Sequence, residues 1–418
     1  MDRPTARLAL ALLALCGTLL ASGCGRGDAT DTASGPAAAP SLGAPRDTGT
    51  SADDDAAPPP VPVPAPAADL GFPAVATKNT TRVGSSDAVA VAAATARAVF
   101  PGADAASRPD AVAVVDRGDW RAALAASALM GAPLRAPLLL SDDGATLPAA
   151  SQAALDALAP TGSKAAGGAQ VIRVGDVPRP TGVKTTDVAG RDPFALAQAL
   201  DAFAAAARGK TSDSVIVVSA DAPQYAAPAA AYAAKSGDPI LFARRDSLPS
   251  ATRAALRTHQ QPKIYLLGPA AAVGRKVADQ LRGLGSVTRI EGADPVRNAI
   301  AFARFAETDF GWGIVDPGHG LVFTDADADP ALAAAAAPLS ASGTYGPLLL
   351  VDDAQRPDTP LRTFLRGIQP GYRTDPTRGV YNHGWLVGDT AALTPALQAR
   401  LDTLLEIMPE TIDTPAAP

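Results

Sequence analysis

The sequence predicts an α/β protein of three tandem units, each a small parallel sheet with helices on both faces. The first observation is a stretch that recurs three times: Ala136-Pro137-Leu138-Leu139-Leu140-Ser141-Asp142-Asp143, Asp238-Pro239-Ile240-Leu241-Phe242-Ala243-Arg244-Arg245 and Gly346-Pro347-Leu348-Leu349-Leu350-Val351-Asp352-Asp353. Each has a Pro, an apolar run too short for a helix and a polar pair, which is how a buried strand of a parallel sheet reads. The second is the spacing. Pro137, Pro239 and Pro347 lie 102 and 108 residues apart, too far for a solenoid repeat and about right for one small domain. The third is the alternation of strands with helical stretches of ten or more residues, which implies right-handed crossovers.

In the first unit, Thr81-Arg82-Val83-Gly84-Ser85-Ser86-Asp87 opens, and the helix from Ala88 to Phe100 stops at Pro101-Gly102. Strand 111–115 ends at Asp116, helix 120–130 leads to the Pro137 strand, helix 147–158 follows, and strand 171–176 closes. The second unit repeats the order with the opening 187–192, helix 194–207, strand 214–218, helix 225–234, the Pro239 strand, helix 250–258 and strand 263–268. The third has the opening Thr288-Arg289-Ile290-Glu291-Gly292-Ala293-Asp294, a helix from Pro295 to about Glu307, strand 321–324, helix 330–339 and the Pro347 strand. Helix 361–368, an insert 370–381, strand 383–389 and a covering helix 394–408 complete it. The expected boundaries are 71–178, 179–283 and 284–408, with 409–418 a frayed tail.

The ends are unlike the body. Met1 to Arg7 carries two arginines, Leu8 to Leu20 is apolar, and Ala21-Ser22-Gly23 precedes Cys24, so residues 1–23 read as a signal peptide. Small residues before that Cys resemble the bacterial lipobox, which makes Cys24 the expected lipidation site, held at the outer face of the cytoplasmic membrane. Residues 24–70 are rich in Ala, Pro and Asp, ending in Pro58-Pro59-Pro60-Val61-Pro62-Val63-Pro64-Ala65-Pro66, and read as a disordered tether. The formal charge of −6 falls mostly on this tether, which leaves the body nearly neutral. Nucleic acid, which calls for a clustered basic surface, is not an expected partner. Both cysteines precede residue 71, so the body holds neither a disulfide nor a thiolate metal site.

The order of segments resembles the cell-wall-binding repeat 2 family of bacterial surface proteins. Arg289-Ile290-Glu291-Gly292-Ala293-Asp294 is similar to the family's opening, as are, in part, Arg82-Val83-Gly84-Ser85-Ser86 and Gly190-Arg191-Asp192. The closing strand appears as Val174-Gly175-Asp176, Leu267-Gly268-Pro269 and Val387-Gly388-Asp389. The family's Arg-Tyr pair after Gly-Ala-Asp is replaced here by Asp87-Ala88, Pro193-Phe194 and Pro295-Val296. The resemblance covers about residues 80 to 408. It implies Rossmann-like or toprim-like repeats in a pseudo-threefold arrangement and non-covalent attachment to an anionic cell-wall glycopolymer.

Catalytic signatures are absent: there is no Gly-x-Ser-x-Gly elbow, His-Glu-x-x-His pair or phosphate-binding Gly-rich loop. His259 reads as a solvated or helix-capping residue, His319 with Asp316 as a loop pair, and His383 as a packing partner of Trp385. Asp325-Ala326-Asp327-Ala328-Asp329 alternates carboxylates but lacks the Gly and distal Glu of a calcium loop. The polar residues after the inner strands, Asp116, Arg117, Asp119, Ser219, Asp221, Thr324, Asp325 and Asp327, read as helix caps. Guanidinium pairs bidentately with phosphate, so Arg82, Arg173, Arg191 and Arg289, with Asp192 and Asp294 beside them, are the candidate ligand-binding residues. The expectation is a lipid-anchored surface protein that binds an anionic polymer, needs no metal or cofactor and is not an enzyme. A solute-binding lipoprotein or an interaction scaffold at the envelope are the alternatives.

Overall fold

The computed structural model describes residues 75–142 and 144–410. The expected signal peptide, Cys24 and the Pro-rich tether lie outside these residues. Among the described residues no helix is long and apolar enough to cross a membrane.

Three four-stranded parallel sheets form the body, all with one strand order. In each, an inner strand (Val112–Asp116, Ser214–Ser219 or Gly320–Asp325) lies between an edge strand and a closing strand. The edge strands are Leu138–Ser141, Ile240–Ala243 and Leu348–Val351, which are the three Pro-led runs; the closing strands are Val171–Val174, Lys263–Leu267 and His383–Val387. Between their polar ends all three inner strands are buried and β-branched or apolar, as strands sandwiched between helix layers must be.

The fourth strand of each sheet is the opening strand of the following unit. Thr185–Val188 pairs with Val171–Val174, and Ser286–Ile290 pairs with Lys263–Leu267. In the third sheet that place is taken by Thr80–Val83, from the opening of the first unit, which pairs with His383–Val387. Sheet pairing therefore runs across the repeat boundaries drawn from sequence. The reason is hydrogen bonding: a strand with the register Val174 to Val188 satisfies the open edge of the closing strand. Val75–Ala76 adds a short antiparallel strand outside Thr80–Val83.

Helices interlock in the same cyclic sense. The first helix of each unit starts at an Asp cap: Asp87, Asp192 and Asp294 accept from the backbone N–H of Val89, Ala195 and Arg297 at 3.2, 2.8 and 2.8 Å. Ala88–Val99 packs on Ala331–Ser340 of the third unit, Pro193–Arg208 on Trp120–Ala126 of the first, and Pro295–Arg304 on Pro223–Ala226 of the second. The second helices, Trp120–Ala126 with the 3-10 turn Ser127–Met130, Pro228–Ser236 and Ala331–Ser340, also touch one another. Their alanines explain how: every residue of Ala331–Ser340 is buried, and methyl side chains let helix axes approach closely. The glycine of the third opening has a steric role too. A Cβ on Gly292 would meet the Asn298 backbone nitrogen at 2.2 Å, and one on Gly190 would meet that of Leu196 at 2.3 Å.

Three features differ from the sequence reading. Arg275–Arg282 forms a helix in a stretch given no element, burying Val277, Ala278 and Leu281. The helix from Pro295 ends at Arg304, and Ala306–Glu307 pairs with Phe310–Gly311 in a small hairpin. Met408–Pro409 pairs with Gly371–Tyr372, so the expected tail and the expected insert brace each other before residue 411.

Candidate functional site

The arginines expected to face a polymer turn inward. Arg82 projects from the first strand and is 1% exposed. Its Nε and Nη2 both donate to Gln398 Oε1 at 3.1 Å, and Nη1 donates to the Gly388 and Asp389 carbonyls at 3.1 and 3.0 Å. Burial pushes its pKa down, although the neighbouring Asp389 pulls the other way. Arg289, in the equivalent strand of the second sheet, donates to Gly268 O at 2.6 Å and Val273 O at 2.9 Å. Burial lowers its pKa as well.

The first sheet achieves the same end from the neighbouring strand. Arg82 pairs across with Leu386 and Arg289 with Leu266, but the corresponding pair is Asp187 with Arg173. Arg173 donates to Val177 O at 3.1 Å and to Asp187 at 2.8 Å. Burial raises the Asp187 pKa, and the guanidinium groups of Arg179 and Arg173 more than offset this, so the net shift is downward. In all three sheets, then, an arginine holds the loop that turns at a left-handed glycine: Gly175, Gly268 and Gly388, with φ of 77°, 114° and 144°. Apart from Asp389 O, which also accepts from Leu393 N–H, the carbonyls these arginines reach take no other hydrogen bond among the described residues, and a five-donor side chain satisfies them. This is the correction to the sequence reading: Arg82, Arg173 and Arg289 are loop clamps. Asp192 and Asp294 are helix caps, and only Arg191, its side chain 82% exposed beside Asp192, is open to solvent.

The rim beyond the inner strands is largely spent on turns. Asp116, Ser219 and Asp325 hold equivalent places and accept from Gly118, Asp221 and Asp327 N–H at 2.8, 3.1 and 2.8 Å. Asp119 caps Trp120–Ala126, and Asp221 accepts from Arg245 N–H at 3.1 Å. Arg117 pairs with Asp87 at 3.1 Å. No group of three His, Cys, Asp or Glu among the described residues converges on a metal position.

Of the three histidines, His383 stacks edge-on to Trp385 with centroids 4.9 Å apart, as expected, and burial lowers its pKa. His319 contacts Asp316 at 3.3 Å. His259 is not solvated. It caps Ser250–Thr258 and is buried, with Nδ1 2.8 Å from Ser212 O and Nε2 2.8 Å from Asp201 Oδ2.

Two of the body's clefts lie at the second sheet and at its junction with the third unit. One, of about 470 Å³, lies beside the amino ends of the second sheet's strands and is lined by Arg208, Lys210, Lys235 and Lys263 with Asp213, Asp238 and Asp309. None of the four cations has an ion pair among the described residues. Lys235 Nζ lies 4.6, 5.2 and 5.6 Å from the rings of Tyr345, Trp312 and Tyr232. Burial lowers the Lys235 pKa and raises that of Asp238. The other, of about 270 Å³, sits between the second and third units beside Thr324 and Asp325.

Solved structures share this fold. Cwp6 from Clostridium difficile superposes with a TM-score of 0.62 at 17% identity, covering 78% of this chain and 48% of its own. Cwp8 from Clostridium difficile gives 0.58 at 16% identity over 79% of this chain and 52% of its own. The chain thus spans about half the length of these structures. No protein-family profile matches the sequence, and no curated protein sequence matches it.

Proposed function

We propose that this chain is a non-enzymatic attachment protein of the cell envelope that binds an anionic wall glycopolymer through its α/β body. The observation that carries the reading is the fold, which it has in common with Cwp6 and Cwp8, both cell wall proteins. The sequence resemblance to cell-wall-binding repeats, over about residues 80 to 408, supports the same class. On this reading a signal peptide delivers the chain, Cys24 is lipidated, and the body stands off the membrane on the Pro-rich tether. The cyclic pairing of strands and helices supports a pseudo-threefold arrangement of the units.

With the buried arginines committed to loops, the polymer contact passes to the cleft of Arg208, Lys210, Lys235 and Lys263. Lys210 and Lys263 offer charge without ion pairs, and Tyr345, 45% exposed, offers a ring face for a sugar. The test is sedimentation of the protein with purified wall glycopolymer at rising salt. Binding should weaken as ions screen phosphate contacts, and Lys210→Glu with Lys263→Glu should cost at least tenfold in affinity. Salt-insensitive binding, or the same affinity in the double variant, would refute the assignment.

A further inference from the structure

Each junction between units sets the first turn of one unit's second helix against the loop after the next unit's inner strand. At the first-to-second junction Arg121 stands in that turn, and its Nε donates to the Ala220 carbonyl at 2.9 Å, with Nη2 on the same oxygen. At the third-to-first junction the arginine comes from the loop instead: Arg117 lies 4.0 Å from Asp329.

The second-to-third junction has an arginine at neither place. Strand register fixes the equivalence: Ser219 pairs with Ala243 and Asp325 with Val351, and the next residues, Ala220 and Ala326, donate to those same partners' carbonyls at 2.8 Å. Ala326 therefore stands where Ala220 does. Counting forward from Asp116 and Ser219, Gln224 stands where Arg121 does. Here lies the cleft of about 270 Å³, lined by Gln224, Thr324, Asp325, Ala326, Asp327 and Asp329 among others. Thr324 is 3% exposed, and its hydroxyl has no hydrogen-bond partner. The Asp327 carboxylate makes no ion pair or hydrogen bond among the described residues, although its backbone N–H is used in the turn.

We propose that this cleft binds the guanidinium or primary ammonium group of a small organic cation. The protein itself shows the chemistry, because the equivalent slot one junction earlier is filled by a guanidinium on a backbone carbonyl. A cation entering from solvent would meet the Ala326 carbonyl, the orphaned Thr324 hydroxyl and the Asp327 carboxylate, with Asp325 and Asp329 adding field. A bare metal ion is a poorer fit, since no three ligating side chains converge there among the described residues.

The test is an NMR titration of the full chain, following the Thr324 methyl group, with methylguanidinium, n-propylammonium, N-acetylarginine amide and neutral methylurea. The three cations should give a saturable shift and methylurea none. Gln224→Arg supplies the missing side chain and should weaken methylguanidinium binding at least tenfold, while Asp327→Asn, which leaves the turn hydrogen bond in place, should weaken it severalfold. Binding of N-acetylarginine amide as tightly as methylguanidinium supports a residue-borne group as the natural source, and preference for the free cation supports a small metabolite. Equal response to methylurea, no saturable shift in the unmodified chain, or unchanged affinity in both variants overturns the proposal.

Discussion

Replacing Arg82 by Ala would strip the donors from Gln398 Oε1 and the Gly388 carbonyl, remove one of two donors to the Asp389 carbonyl, which keeps Leu393 N–H, and leave a void beneath the closing loop. Each orphaned acceptor costs about 1–3 kcal/mol, so we expect Arg82→Ala to lower unfolding stability by about 3 kcal/mol or more. Arg191→Ala, at an exposed site, should change it by no more than about 0.5 kcal/mol. Denaturant midpoints of the two variants check this, and similar losses in both would contradict the clamp. The contrast also shows what a sequence conceals. Arg82 reads as a surface cation on a strand end because its cover, Gln398, comes from a helix 316 residues later. Local pattern shows residue type, whereas which face is roofed depends on pairing across the whole chain.

At the level of elements, the buried His259–Asp201 contact joins Pro193–Arg208 to the end of Ser250–Thr258 and to the loop entering Ser214–Ser219. Ser212 offers a carbonyl, so Nδ1 must donate, and a single proton is held between Nε2 and the Asp201 carboxylate. Burial pushes the imidazole pKa down, but the hydrogen bond and charge of Asp201 outweigh it and the net shift is upward, against a smaller opposing effect of Arg208. A raised folded pKa means the pair contributes fully below the unfolded value, about 6.5, and less as pH rises through the higher folded value. Urea midpoints should therefore fall across that alkaline-going window, and Asp201→Asn should flatten the dependence while lowering stability at acid pH. A midpoint that rises through the window would contradict this. Strands and most helices were legible from apolar runs and stops such as Pro101-Gly102. Arg275–Arg282 was not, because its three buried residues sit in an otherwise charged stretch whose amphipathic face only the sheet reveals.

Across the whole molecule, the sheets and helices of each unit are completed by a neighbour, so no unit carries all of its own hydrogen bonds or core. Units of this kind should not melt separately: calorimetry should give one transition, and a chain shortened to begin at Ser85 should lose the third sheet's outer strand and with it the cooperativity of the whole body. Three resolved transitions in the intact protein would refute the interlock. The tandem order of units was readable from the spacing of Pro137, Pro239 and Pro347, since each heads the same edge strand. Their interdigitation was not, because a four-residue strand such as Thr80–Val83 bears no mark of the partner it will choose. That choice sets a timetable for biogenesis. A polypeptide threaded out amino end first exposes Thr80–Val83 early, yet its neighbour at Gly384–Val387 emerges some 300 residues later. An early strand must therefore wait, one edge unpaired, for a partner made late.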